Sequence, residues 1–404
     1  MPSSIPRPTN RAADSFTAVA PFFLSSFAWN VALGMTSILV PLYARSLGMS
    51  GVRIGTLIAL PVVLQIAFTF VGGASTDRLG GKNMSLASCA FTSIAGLLFM
   101  ASTGFALMLA AQFLMVMARA IFWTATLLLA SKLPGNPGKQ MGRFTAAVNA
   151  GQIAGTVAAG FIIAAAGFRS GFGAMAAAGF AALLLNQMYR TAAAPPRMPT
   201  TSVFAIYREL FGKRTMRFSM LCAYISALPM SLAVSFYPIL LVEQGLDLNA
   251  TGTLISVRAV GAVAAGFVAG HFIKHVRDLG APLISAVIVG LSVALAAAVS
   301  QPVLIAVFMF GLGAGSAAIS VYAQMLIGEV SSKETRGSAM AFFNVSWGIS
   351  LLTTPLAMGI FQDFIGIRIA FYIMGGFTLV CALLLIPTQR WAFALEPVKV
   401  SDPA

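Results

Sequence analysis

The stretch Gly55-Thr56-Leu57-Ile58 returns 197 positions later as Gly252-Thr253-Leu254-Ile255. The same shift lays Pro238 on Pro41, Gly245 on Gly48 and Gly270 on Gly73. Farther along, a shift of 193 lays Arg336 on Arg143 and Gly348 on Gly155, the four lost positions being absorbed by shorter loops in the second copy. Matches that keep their order over so much of the chain mark a duplication, so the sequence reads as two copies of one unit pointing the same way.

What surrounds the repeat is too apolar for water. Of 404 residues 58% are hydrophobic and 9% charged, where a soluble domain carries about 25% charged residues, and the mean hydropathy is +0.89. A water-soluble globular protein is excluded. A spanning helix needs about 20 mostly apolar residues, and cutting at charged or Gly/Pro-rich breaks gives twelve such segments. Six fall in the first copy: Phe16 to Tyr43, Ile54 to Ala74, Met84 to Ser102, Phe105 to Ala130, Phe144 to Ala166 and Phe172 to Tyr189. Six fall in the second: Phe218 to Val242, Thr251 to Ile273, Ala281 to Val299, Pro302 to Ile327, Ser338 to Phe361 and Ile369 to Ile386. The fold expected is an all-α membrane protein of twelve transmembrane helices in two six-helix bundles. A parallel repeat of this kind relates its copies by an axis along the membrane normal and puts a solute site at the midplane between them.

The net charge of +14 would suggest nucleic acid in a soluble protein, but here it records topology. With the N-terminus inside, 19 of the 25 Lys and Arg fall on the inner side. Only Arg45, Arg53, Arg169 and Arg368 fall outside, and Arg119 and Arg258 lie within spans. Cytoplasmic loops collect such cations, so both termini are expected in the cytoplasm and no nucleic-acid partner is expected. The divisions are a tail over 1–15, a bundle over 16–189, a basic connector over 190–217, a bundle over 218–389 and a tail over 390–404. The polar start lacks a cleavable signal pattern. Within the connector, Val203 to Leu210 and Phe211 form an amphipathic stretch expected on the anionic lipid of the inner leaflet. Cys89, Cys222 and Cys381 lie in apolar runs without paired spacing, and His271 and His275 cannot hold a metal alone, so no disulfide, metal or cofactor is expected.

The loop after the second span reads Gly73-Ala74-Ser75-Thr76-Asp77-Arg78-Leu79-Gly80-Gly81-Lys82. It resembles the signature loop of the major facilitator superfamily, and with twelve spans and the six-plus-six repeat the resemblance covers nearly the whole chain. It implies that Gly73, Asp77, Arg78, Gly80 and Lys82 brace the cytoplasmic contact between the halves, Asp77 lying near the start of the eleventh span, and that the contact breaks on opening inward. An anion there would favour the positive end of that helix. The repeat mate is degenerate, with Lys274 for the Asp and His275 for the Arg. In the fifth span Gly151, Gly155 and Gly160 allow close helix contact. They resemble the antiporter signature of superfamily exporters, although Thr156 and Ala159 replace its Pro and one Gly.

Charges inside the membrane are few. None of the 11 acids falls mid-span; Glu243 and Glu329 lie at span ends. Arg119 and Arg258 would each cost roughly 2.5 to 3.5 kcal/mol facing lipid, so both are expected to face an internal cavity. By resemblance Arg119 occupies the position of a fourth-helix arginine linked to proton coupling in exporters, with Phe122 and Trp123 departing from that pattern. Two guanidiniums without a carboxylate need an anion, carbonyls or a substrate oxygen. Asn30, Gln65, Asn149, Gln152, Tyr224, Gln324, Asn344 and Trp347 complete the candidate cavity set, although each is individually more often an interhelical hydrogen bond. Pro41, Pro61, Pro229, Pro238 and Pro355 mark kinks.

No Gly-x-x-x-x-Gly-Lys-Ser/Thr loop is present for nucleotide, and no nucleophile with a base or metal supports an intramembrane enzyme. The expectation is a monomeric, rocker-switch secondary transporter of a bacterial cytoplasmic membrane. It would export a drug, metabolite or siderophore by proton-driven antiport, the solute being anionic or oxygen-rich. The alternative is an importer or exchanger of an organic anion held by Arg119 and Arg258, with a counter-anion in place of the proton; a sensor is a further, weaker alternative.

Overall fold

The computed structural model describes residues 11–134, 136–189, 203–272, 278–332 and 335–394. With no water in the bilayer core, each spanning segment must satisfy its own backbone, and helices do so; the described residues contain no strand. The order is α1 (Arg11–Ser46), α2 (Gly51–Ala59), α3 (Val62–Leu79), α4 (Gly81–Ala101), α5 (Phe105–Ser131), α6 (Pro137–Met188), α7 (Val203–Gly212), α8 (Arg214–Ala233), α9 (Tyr237–Glu243), α10 (Leu248–Phe272), α11 (Gly280–Ala298), α12 (Pro302–Val330), α13 (Arg336–Ile365) and α14 (Ile367–Phe393). Eleven described stretches are long and apolar enough to cross a membrane, and one of them runs for 50 residues.

That long stretch lies in α6, where Gly167 breaks the helix with φ 79° and ψ 176°. The fifth and sixth expected spans thus meet at a single residue rather than across a loop. The second expected span is divided into α2 and α3 at Leu60 and Pro61; tight-turn bonds run from Val63 N to Leu60 O and from Leu64 N to Pro61 O. Pro61 has no N–H to continue the ladder, which is why the break falls there. The seventh span is likewise two helices, and Pro238 opens α9 in its first turn.

Packing divides the helices into two sets: α1 lies along α6, and α4 packs on α5 and α6, while α10 and α11 pack on α12, α14 on α11, and α13 on α8. The repeat is visible in the backbone, since the matched glycines Gly48 and Gly245 both adopt left-handed φ, 72° and 88°. The connector helix α7 tucks Leu210 into the core and stacks Phe211 on Phe342 of α13 at 5.9 Å. Large apolar side chains such as Phe267, Val303 and Phe364 are turned outward, as a lipid solvent requires.

The two sets meet where α2 and α3 lie on α13 and α6 on α10, with Gly348 of α13 against Ile66 of α3. Gly51 and Gly55 of α2 pack against Gly359 and Pro355 of α13, and Gly160 and Thr156 of α6 against Leu248 and Gly252 of α10, with no room for a Cβ at these glycines. The Asp363 carboxylate accepts from Gly51 N at 2.6 Å and Val52 N at 2.9 Å, so the end of α13 caps the start of α2. Arg45 and Glu243 form an ion pair at 2.7 Å beside them. That pair is roughly half exposed and contributes about 1 kcal/mol or less; the two bonds to a charged acceptor at Asp363 are worth about 1.5–3 kcal/mol each. Among the described residues, the Gly51, Asp363 and Arg45 contacts lie at the end bearing Gly48 and Gly245 and seal it, while Gly348 meets Ile66 nearer the middle of the span.

Candidate functional site

A cavity of about 20 Å³, room for about one water, lies between the sets. Thr36 of α1, Ile58 of α2, Gln112 and Arg119 of α5, Leu351 of α13, and Val234 in the break between α8 and α9 line it. The broken seventh span therefore contributes an irregular backbone to the cavity wall, where such backbone is tolerated in a membrane.

Arg119 donates from Nε at 3.1 Å and from Nη2 at 2.6 Å to Oε1 of Gln65 on α3. The structure thus joins two of the residues singled out in the sequence. A neutral amide oxygen satisfies part of the guanidinium without cancelling its charge, so the positive field still faces the cavity.

Arg258 sits differently. It is 8% exposed, its Nη2 lies 3.3 Å from Sδ of Met230, and its buried Nε has no partner. A Cβ at Gly313 of α12 would overlap the carbonyl oxygen of Arg258, so α10 and α12 touch backbone to backbone at this residue. Met230 lies one helical turn before Val234 in the cavity wall.

The remaining candidates are dispersed. Asn30 is buried between α1 and α6, donating to Ser26 O at 2.8 Å with its Cβ close to Gly151, and neighbouring Trp29 stacks on Phe122 at 3.8 Å. Asn149 bonds Thr145 O, one turn back on its own helix; Gln152 is half-buried on the same helix. The Tyr224 hydroxyl lies 3.1 Å from Thr353 Oγ1, joining α8 to α13. Gln324 and Asn344 are exposed, and Gln324 bonds Ser320; Trp347 packs on the core. The sequence reading missed Gln112 on the cavity wall and Met230 beside Arg258.

The signature loop is described in part. Gly73, Asp77 and Arg78 belong to the last turns of α3, but their side chains, and so the expected contact of Asp77 with the start of α13, lie outside the described residues. Gly80 turns the chain with φ 81°, and Lys82 Nζ donates to Tyr189 O at 2.6 Å and Gln187 O at 3.3 Å. Lys82 thereby pins α4 to the carbonyl end of α6 within one half. The fifth-span glycines divide by partner: Gly151 meets Phe27 and Gly155 meets Val31 inside the first half, whereas Gly160 meets Leu248 across the halves.

The family model described as Major Facilitator Superfamily matches residues 22–276 and 219–397. A point mutant of the nucleoside transporter NupG superposes with a TM-score of 0.80 at 14% identity, covering 92% of this chain and 99% of that one. A bacterial homologue of the human lysosomal transporter Spinster, in an inward-facing, unoccupied conformation, superposes with a TM-score of 0.75 at 15% identity, covering 98% and 100%. No curated protein matches by sequence.

Proposed function

The chain belongs to the major facilitator superfamily, and from that premise we propose that it exports a small organic solute across a bacterial cytoplasmic membrane by proton-driven, rocker-switch alternating access. That it is a transporter rather than an enzyme follows from the family and the folds it resembles. Twelve spans result if α6 crosses twice about Gly167, which a helix of 52 residues must do, being far longer than the bilayer is thick. The two rocking units are 16–189 and 218–389, joined by the connector 190–217 on the inner leaflet, with both tails cytoplasmic on the Lys/Arg bias.

The single observation that carries the reading is the one-ended seal. Among the described residues, the carboxylate and ion-pair contacts between the halves and most of the glycine contacts lie toward the end away from the basic loops, while Gln324 and Asn344, nearer the other end, are exposed. On this reading the structure is the inward-open member of an alternating pair. The stripe Gly151, Gly155 and Gly160 leans the direction toward export. The empty midplane assigns the proton to the substrate or to a span-end carboxylate, and Glu243 is engaged by Arg45 in this state.

Metabolite profiling of cells and medium from a deletion strain tests the reading. A drug, metabolite or siderophore-like solute should accumulate inside and decline outside; the reverse pattern contradicts export and establishes import. Counterflow in proteoliposomes tests the second reading, exchange of an organic anion, which Arg258 favours, its buried Nε lacking a partner and no carboxylate pairing with it among the described residues. Trans-stimulation by an anion without dependence on a pH gradient would establish it over proton antiport.

The seal yields a further expectation. Asp363→Asn keeps one acceptor but loses the charge, and should raise outward opening about tenfold, corresponding to roughly 1.4 kcal/mol. Arg45→Gln should raise it less than about fivefold. The readout is labelling of Ile58→Cys, placed on the cavity wall, by an impermeant maleimide applied from the sealed side. Equal labelling rates in Asp363→Asn and its parent would show that the carboxylate is not a latch.

A further inference from the structure

We propose that Arg214, Arg217 and Trp391 form a headgroup site for an anionic phospholipid of the inner leaflet, its phosphodiester held between the two guanidiniums. The site concerns the lipid rather than the transported solute, and it takes from the transport reading only the orientation set by the Lys/Arg bias. Arg214 and Arg217 lie one turn apart on α8 and both reach a single ring on α14, their guanidinium carbons 5.0 and 4.7 Å from the centroid of Trp391. Arg214 Nη1 also donates to Trp391 O at 3.4 Å, and Arg217 Nη2 donates to Gly212 O at 3.3 Å. A guanidinium carries several N–H donors, so most of those on this pair have no protein acceptor among the described residues.

The charge here is uncompensated. Like charges one turn apart on a helix repel, cations at the start of a helix oppose its macrodipole, and the first turn of α8 holds no acid. Among the described residues the nearby carboxylate of Glu209 is paired with Lys213, at 3.7 Å, and no carboxylate forms an ion pair with Arg214 or Arg217. The face of an aromatic ring attracts a cation but does not cancel its charge. What suits the pair is an anion with several acceptor oxygens that two planar forks can grip at once, which is what a phosphate presents. The surroundings point to its source. Val380, Leu384 and Trp391 of α14 are 55%, 47% and 40% exposed, and their spacing puts them on one face of the helix. That face offers acyl chains an apolar track ending at the two cations, and tryptophan favours the level where the apolar core meets the headgroups. A soluble phosphate would engage the guanidiniums alone, whereas a phospholipid engages the guanidiniums and the track together.

Thermal unfolding of the purified full-length protein in detergent, titrated with dioctanoyl phosphatidylglycerol, dioctanoyl phosphatidylcholine or inorganic phosphate at one pH and ionic strength, tests the proposal. Phosphatidylglycerol should raise Tm saturably and at lower concentration than either of the others. The double substitution Arg214→Gln with Arg217→Gln should abolish the rise. Arg217→Lys keeps the charge but loses the fork, and should raise the half-saturating lipid concentration about tenfold. Trp391→Leu keeps the apolar track but loses the ring, and should raise it about fivefold. Lys132→Gln removes an exposed cation from the first half and should change nothing. Equal responses to the two lipids, or a loss in Lys132→Gln as large as in Arg217→Lys, overturns the site. A response to inorganic phosphate equal to that of phosphatidylglycerol overturns the lipid as its ligand. The single substitutions decide even if the double variant fails to fold. The measurement involves no gradient and no solute, so its failure leaves the transport reading intact, whereas an unchanged deletion strain would leave a measured lipid site standing.

Discussion

Gly55→Val will arrest the protein with its outer end open. Gly55 packs on the carbonyl of Pro355, and a Cβ there would overlap that oxygen, lie 3.0 Å from the carbonyl carbon and 3.4 Å from Leu356 Cα. All three are backbone atoms, so no rotamer change makes room, and the only relief is for α2 to leave α13. These helices belong to different halves, and their separation is the motion the protein already makes. Overpacking of about 1–3 kcal/mol then falls wholly on the inward-open state and shifts the equilibrium roughly 5- to 150-fold. The variant should fold and reach the membrane, transport should fall close to background, and Ile58→Cys should label from the sealed side at least about fivefold faster than in the parent. Normal transport by Gly55→Val would show that α2 and α13 need not close.

Gly155→Val presents the same overlap with the opposite consequence. A Cβ at Gly155 would run into the carbonyl of Val31, with Val31 Cα 2.8 Å away. Here the partner helix α1 lies in the same half, and α1 and α6 pack along much of their length. Rocking cannot separate them, so the clash is present in every state and the half itself must distort. The amount of monodisperse protein should fall at least tenfold by size-exclusion chromatography, a loss of about 1.4 kcal/mol or more. Gly376→Ala, where a Cβ meets nothing within 4 Å, should be neutral or slightly stabilising. A well-folded Gly155→Val would contradict the packing of α1 on α6.

These two glycines show how far the sequence could be read. Both stood out before any coordinates, Gly55 through the repeat and Gly155 through its spacing with Gly151 and Gly160. Spacing identifies a surface that admits a backbone, but not which backbone arrives, and the stripe in fact serves two partners in different halves. The break at Pro61 was legible because proline removes a donor at a known place. The break over 234–236 was not, since Pro238 marks the restart of the helix rather than its interruption.

Charges followed the same division. That Arg119 and Arg258 turn inward, Arg119 half-buried on the cavity wall and Arg258 buried, could be foreseen from their depth in apolar runs. That Gln65 meets Arg119 and Met230 meets Arg258 depends on helix rotation and tilt, which hydropathy does not encode. Asp363 carried no sequence signal beyond being one of the 11 acids that fall outside the middle of the spans; its bond to the start of α2 becomes visible only once the halves are docked. The expected bracing by Asp77 at the opposite end is its counterpart in the account of alternation, and it falls on side chains outside the described residues.

Alternation itself is the claim on which the rest stands. Spin labels at exposed Leu47 and Ile365 report the sealed end, and labels at exposed Asn83 and Ser332 report the open end. The native cysteines are buried, so labelling of introduced thiols is selective. Double electron–electron resonance on the two pairs, each with and without Gly55→Val, measures both ends directly. The account predicts that the substitution lengthens the Leu47–Ile365 distance and shortens the Asn83–Ser332 distance together. Distances that stay unchanged at both ends, or that lengthen at both, would contradict it.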